Sequence, residues 1–422
     1  MSLKNVIIAY DFAYINGGQA KVAIDSARLL AEHGINVVYF AACGPADKIL
    51  DHPRIKTVCL DQHDILSDPN RARAVIQGIW NGEAARALSD LTEQFNPHDT
   101  VLHCHGFAKG LSASIGPILT HGRLPSVYTM HEYFLACPNG GFYDYKSNEI
   151  CTRKALSLDC LLTNCDVRHA IHKAWRSLRQ IVICTFGKMP ESLKDIIYIS
   201  ETQHKALIAY LSDKTNLHFV PNPIQLSEQS AVTANSNDIF LFIGRLNPEK
   251  GGVFFAKAAR QAGVKAVFVG DGADRQAIVN ENPEALITGW QTPEQVQQWI
   301  SKARCLVFPS LWYECMPLVP FEVLARGVPI IVGAWSAGAE PVKHKENGLI
   351  FQHQTVESLK SAIEELKDDK HSVFKNVRHS MKETPGLDQH LNRLLDVYSK
   401  ILIGHTIDTS SSSATEQRSA RL

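Results

Sequence analysis

The segment NVIIAYDFAYINGGQAKVAIDSARLLAEHGINVVYFAAC, residues 5–43, decides the fold. Its first eight residues are mostly β-branched or aromatic, as a buried strand requires. From Lys21 the apolar residues recur at helical spacing, and Gly34 stands where a left-handed residue closes a helix. NVVYFAAC is a second strand. Strand, crossover helix and strand in that order join parallel neighbours, so the segment predicts a parallel sheet covered by helices.

The same rhythm returns downstream. TVLHCHG, PSVYTMHEY and DIIYISE continue the first series of strands. DIFLFIGRL, KAVFVGDG, EALITGW, CLVFPS, VPIIVGAW and GLIF form a second, with amphipathic stretches such as TPEQVQQWISKA between them. VPNPIQLSEQSAVTANSND separates the series and is rich in Pro, Ser and Asn, as a linker is. The expected organisation is α/β, with two doubly wound Rossmann-like domains facing across a cleft. Their bounds are 1–215, a hinge over 216–237, and 238–384. A helix over 385–404 is expected to pack back on the first domain, and the polar, Ser-rich stretch 405–422 to be disordered.

Composition narrows the function. The chain has 422 residues, enough for two cores. Lys plus Arg (43) balances Asp plus Glu (43), so no global charge favours nucleic acid. The start, MSLKNVIIAYDFAY, reads as a strand rather than a signal peptide, and no run is long enough to span a bilayer. With ten cysteines and no export signal, a reducing cytoplasm is expected.

Candidate chemistry lies at the strand ends, where ligands of such sheets bind. Gly17 and Gly18 follow the first strand and let backbone N–H groups approach an anion, though a glycine pair is more often only a turn. In FIGRLNPEKGG, Arg245 leaves a strand after Gly244 and Lys250 follows. One forked guanidinium and one mobile ammonium suit a diphosphate; the competing reading is a solvated loop. Gly270 in VFVGDGADR repeats the glycine-after-strand theme without the full dinucleotide fingerprint. His131 ends one strand, and His103 and His105 end another; His103 reads as structural.

LWYECMPLVPFEVLARGVPII, residues 311–331, holds Glu314 in a loop and Glu322 on the helix behind Pro317. Cys137, Cys151, Cys160 and Cys165 lack the paired spacing of zinc modules, and no metal site is expected. The basic stretch RHAIHKAWRSLRQ, 168–180, is a candidate for contact with acidic head groups, against a plain solvated face.

Taken together and in this order, the glycine pair, the histidine-ended strand, GRLNPEKGG and the two glutamates resemble the retaining GT-B glycosyltransferases of family 4. The resemblance extends over nearly all of residues 4–400. It implies a nucleotide-diphosphate sugar as co-substrate, no required cofactor, and transfer to a saccharide or lipid-linked saccharide in cell-surface polysaccharide biosynthesis. Arg245 and Lys250 would neutralise the diphosphate, and Glu322 would accept from the ribose diol. Glu314 and His131 would face the transferred sugar, with Gly17, Gly18, Gly244, Gly270, Met316, Pro317, Leu318 and Val319 around the donor. The family's usual glycine after the first glutamate is Cys315 here, and the usual aspartate after the histidine is Glu132. The enzyme is expected in the cytoplasm or at the inner face of the membrane. The alternatives are a same-fold phosphorylase or epimerase, and a non-catalytic partner subunit.

Overall fold

The computed structural model describes residues 3–224, 230–368, 373–377 and 386–419. Its first sheet comprises β1 (Asn5–Phe12), β2 (Asn36–Cys43), β3 (Ile55–Cys59), β4 (Thr100–Cys104) and β5 (Ser126–Thr129). A two-stranded hairpin, β6 (Tyr143–Asp144) with β7 (Glu149–Ile150), interrupts the series before β8 (Asp195–Tyr198) and β9 (Asn216–Phe219) complete it. The second sheet comprises β10 (Ile239–Ile243), β11 (Lys265–Val269), β12 (Leu286–Ile287), β13 (Ala303–Phe308), β14 (Ile330–Gly333) and β15 (Gly348–Phe351). Helices α1 (Gly18–Glu32), α2 (Arg71–Ile79), α3 (Gly82–Thr92), α4 (Gly116–His121), α5 (Leu158–Leu162), α6 (Ala170–Thr185) and α7 (Glu201–Leu207) belong to the first half. The second half carries α8 (Gly252–Ala262), α9 (Arg275–Glu281), α10 (Pro293–Ser301), α11 (Leu318–Ala325), α12 (Val356–Lys367), α13 (Val373–Asn376) and α14 (Leu387–Ser419).

Both sheets are parallel throughout, ordered β3-β2-β1-β4-β5-β8-β9 and β12-β11-β10-β13-β14-β15. In each, the strand order reverses beside the first strand, between β1 and β4 and between β10 and β13. A crevice opens at such a switch point because the flanking crossovers leave in opposite directions. Each sheet is buried under its helices in its own apolar core. Gly34, at φ 92°, terminates α1 in the left-handed region, as the sequence predicts.

Two expected boundaries move and one strand is new. β9 pairs with β8, so the first sheet takes in Asn216–Phe219, which the sequence reading assigned to the hinge; a short, half-buried edge strand leaves little hydrophobic alternation to read. β3, another edge strand, was not read from the sequence, for the same reason. The last helix does not stop at 404 but runs to Ser419, since a polar stretch free of Pro and Gly from Thr406 on does not oblige a helix to end. Hinge residues 225–229, the boundary at 384 and residues 420–422 lie outside the described residues.

Helix α14 follows the second domain in sequence yet docks on the first. Leu394, Tyr398 and Leu402 sink into the first core, and the Tyr398 hydroxyl lies 2.7 Å from His103 Nδ1. His390 Nδ1 donates to the Pro221 carbonyl at 2.9 Å, pinning the same helix to the end of the first domain. Replacing Tyr398 with Phe leaves one His103 nitrogen buried without a partner. The expected cost is about 1–3 kcal/mol in chemical denaturation; an unchanged midpoint would show that the bond adds nothing.

Candidate active site

The two switch points face each other across a cleft of about 750 Å³. Gly17, Gly18 and His131 line it from the first domain. Gly244, Arg245, Lys250, Glu314, Met316, Pro317, Leu318, Val319 and Glu322 line it from the second. Residues from loops far apart in sequence therefore meet because the carboxyl ends of both sheets point inward.

Gly270 is the exception: it is not part of the cleft wall. Its φ is 145°, and a Cβ there would stand 1.9 Å from the Gly244 carbonyl oxygen. Gly270 lets the ends of β10 and β11 close on each other, a structural place beside the cleft-lining Gly244.

Helices α1 and α11 both begin at the cleft, from opposite domains. Neither has a side-chain cap or an acidic residue in its first turn. Their free N–H groups and positive dipole ends make the cleft receptive to an anion. Gly17 precedes α1, and an atom added at its Cα would come within 4.0 Å of Arg245 Nη2; one added at Gly18 would come within 3.9 Å of Leu318 Cδ1. Both distances are ordinary van der Waals contact, so the start of α1 lies close against the facing domain.

Lys250 is placed by its own turn. Pro248–Lys250 form a single tight turn, and Gly251 reverses the chain at φ 71° before α8. A Cβ on Gly251 would lie 2.2 Å from the Pro309 carbonyl oxygen. Gly251→Ala is expected to destabilise the fold by about 1–3 kcal/mol in thermal or chemical melts, because strain and a backbone clash coincide. A variant as stable as the parent would remove this account of how the lysine is aimed.

The Lys250 ammonium lies 2.7 Å from Glu314 Oε1 and 5.3 Å from the centre of the Trp312 ring. Ser310 Oγ donates to the same carboxylate oxygen at 2.6 Å. Burial pushes the Glu314 carboxyl up, but Lys250 and the Ser310 hydroxyl outweigh it and hold it below the usual glutamate range. Arg245 is exposed and makes no ion pair among the described residues. Glu322 has no hydrogen-bond partner there either; burial raises its pKa, and Lys21 only partly offsets this. Among the described residues, the free cleft thus holds a guanidinium without an ion pair, a lysine parked on a glutamate, and a carboxylate without a hydrogen bond.

His131 is half-buried, its Nε2 3.0 Å from His105 Nδ1. Burial lowers its pKa to about 3, so the ring is neutral at physiological pH. Glu132 beside it is pushed up to about 7 by burial, with Lys109 pulling the other way. Cys315 faces the cleft with its pKa raised to about 12, again by burial, and is a thiol rather than a nucleophilic thiolate.

Several wall residues escaped the sequence reading, among them Gln19, Lys109, Ser310, Trp312 and Asn139. Ser310 carried a usable signal, because it lies two residues past the end of β13 at the switch point. Asn139 carried none: it reaches the cleft from the irregular segment after His131.

Cys160 and Cys165 flank the buried Lys173 ammonium at 3.5 and 3.3 Å, and all ten cysteines are free. No group of three or more His, Cys, Asp or Glu among the described residues is arranged to hold a metal ion. The basic stretch 168–180 is less basic at its surface than its composition suggests. Lys173 is buried, Arg179 donates inward to the Ala108 carbonyl, and Arg176 pairs with Asp166 at 3.1 Å.

Residues 16–228 match the family model described as Glycosyltransferase Family 4, and residues 225–384 match Glycosyl transferases group 1. The chain is 25% identical over 220 residues to the UDP-Gal:alpha-D-GlcNAc-diphosphoundecaprenol alpha-1,3-galactosyltransferase of Escherichia coli. That match covers 45% of this chain and 56% of the relative. An uncharacterized glycosyltransferase of Methanocaldococcus jannaschii is 23% identical over 313 residues, 71% of this chain and 74% of that one. Among solved structures, a sucrose-phosphate synthase from Thermosynechococcus elongatus superposes with a TM-score of 0.69 at 17% identity, covering 95% of this chain and all of that one. This last likeness is one of fold.

Proposed function

We infer the reaction from one premise: the chain belongs to glycosyltransferase family 4 and has the GT-B fold. We propose that it transfers a sugar, with retention, from a nucleotide-diphosphate sugar to a saccharide or lipid-linked saccharide acceptor in cell-surface polysaccharide assembly. The observation that carries this is the convergence of Arg245, Lys250 and the uncapped starts of α1 and α11 on one cleft. That set of donors fits a diphosphate. The lipid-linked diphosphate acceptor in the E. coli relative's name supports the acceptor class.

In the proposed reaction, Arg245 and Lys250 neutralise the diphosphate and the charge that grows on it as the sugar–oxygen bond breaks. Glu322 holds the ribose diol, and Glu314 and His131 face the transferred sugar. The acceptor oxygen attacks from the face the leaving group vacates, and the leaving phosphate oxygen takes the acceptor's proton. No protein nucleophile is used: Glu314 is engaged by Lys250 and Ser310. The Cys315 side chain stands where the family commonly has glycine and narrows the sugar pocket.

Two cationic side chains do the work a divalent ion would do at the diphosphate. Turnover is therefore expected to persist in excess EDTA; loss of activity restored by added metal would overturn that part of the reading. The main test is a panel of UDP-, GDP-, ADP- and dTDP-sugars with candidate acceptors, the product's anomeric configuration read by NMR. An inverted product would exclude the retaining mechanism. Binding of a donor with neither transfer nor hydrolysis would favour a non-catalytic subunit.

Peripheral membrane contact rests on apolar rather than basic side chains. Ile76, Leu158, Leu162 and Ile171 are each at least two-thirds exposed on α2, α5 and α6, and the exposed Arg168 lies three residues before Ile171. Trp175 is not among them, since its indole N–H donates to the Val75 carbonyl. No described helix is long and apolar enough to cross a membrane.

A further inference from the structure

We infer that His105, which does not line the cleft, fixes His131 in the tautomer that presents an N–H to the bound sugar. The argument begins with topology. β4 and β5 are parallel neighbours, so the residues just past their ends meet, and the two imidazoles stack at 17° with centroids 5.2 Å apart. Their one hydrogen bond runs between His105 Nδ1 and His131 Nε2.

Burial lowers the pKa of both rings, so each carries one proton and a single proton occupies the bond between them. Which ring donates is decided on the far side of His105. The residue is 1% exposed, and its Nε2 is buried with no hydrogen-bond partner. If His131 donated, the His105 proton would sit on that Nε2 as an orphaned N–H, which proteins rarely tolerate. If His105 donates, its Nε2 keeps only an unused lone pair. His131 Nε2 is then the acceptor, and the proton of His131 is on Nδ1.

His131 Nδ1 has no partner among the described residues, and His131 lines the cleft. Its N–H is available to a ligand oxygen. His131 acts as a neutral hydrogen-bond donor, not as a base, and His105 is the positioning residue behind it. The identity of that oxygen rests on the proposed function; the tautomer does not.

The free protein, labelled with ¹⁵N-histidine, decides the matter first. Long-range ¹H–¹⁵N correlation is expected to show His131 protonated at Nδ1, and an Nε2-protonated ring would overturn the inference whatever reaction the enzyme catalyses. The functional test is a pair of variants of equal size. The amide of His105→Asn sits where Nδ1 sits and can donate, whereas the carboxylate of His105→Asp can only accept. The Asn variant is expected to keep kcat within about tenfold of the parent, with Asp lower by a further ~100-fold and donor KM changing less. Folded variants with equal losses would overturn it. Should the Asp variant fail to fold, the spectrum of the parent and the rescue by Asn, compared with His105→Phe, still decide.

Discussion

Replacing Lys250 with Met is expected to lower kcat on the order of 10²–10³-fold, the loss usual when one pre-aimed charge-stabilising group is removed from an active site. The ammonium is held 2.7 Å from Glu314 by a turn that only Gly251 can close, so it reaches the cleft without reorganising. A second effect separates this loss from general damage. In the parent, Glu314 ionises below the usual glutamate range, so the pair's stabilisation is present at neutral pH and is lost as pH falls through that lowered value. Without Lys250, burial is the largest influence left on Glu314, opposed by its Ser310 and Trp312 contacts, and its pKa is expected to rise above that of the unfolded chain. The variant should therefore gain stability as pH falls from 7 toward 5, over a range where the parent gains none from this pair. Adding Glu314→Gln to Lys250→Met should restore neutral-pH stability without restoring turnover. Activity within a few-fold of the parent in the single variant would remove Lys250 from the reaction.

How far the sequence reaches can be read from these same residues. Arg245, Lys250, Glu314 and Glu322 are legible because each lies on a loop at the end of an apolar strand or in the helix that follows it, and such loops in a doubly wound sheet can only open at one edge. The βαβ rhythm is legible for the same reason: buried parallel strands are continuous apolar runs. Gly270 is ambiguous in sequence because a glycine after a strand serves equally well to admit a phosphate or a neighbouring carbonyl, and only the structure shows the 1.9 Å approach to Gly244. The His105–His131 bond was out of reach, since it depends on β4 and β5 being neighbours, with the two rings 26 positions apart in sequence. The basic stretch misled in the other direction. Composition counts Lys173 and Arg179 as surface charge, whereas packing turns both inward onto sulfur and carbonyl partners.

Glu322 offers the sharpest opposition between stability and function, and its replacement by Gln is expected to move the two in opposite directions. In the free protein its carboxylate is mostly buried and has no hydrogen-bond partner among the described residues, and burial raises its pKa against a smaller pull from Lys21. A raised carboxyl pKa means that the ionised form is penalised on folding. The penalty applies above the unfolded pKa and vanishes in acid, where both states are protonated. Glu322→Gln should therefore melt higher than the parent at neutral pH and alike in acid. Donor binding should suffer, because glutamine offers one acceptor oxygen and no charge to the two ribose hydroxyls. Hydrogen bonds to a charged partner contribute about 1.5–3 kcal/mol, so donor affinity by calorimetry should weaken by about 10- to 100-fold. Unchanged affinity would remove Glu322 from the donor site. A lower melting point at neutral pH would mean that the carboxylate already has a partner in the free protein. If both expectations hold, the buried charge is kept at a cost to the fold because the donor supplies its missing hydrogen bonds.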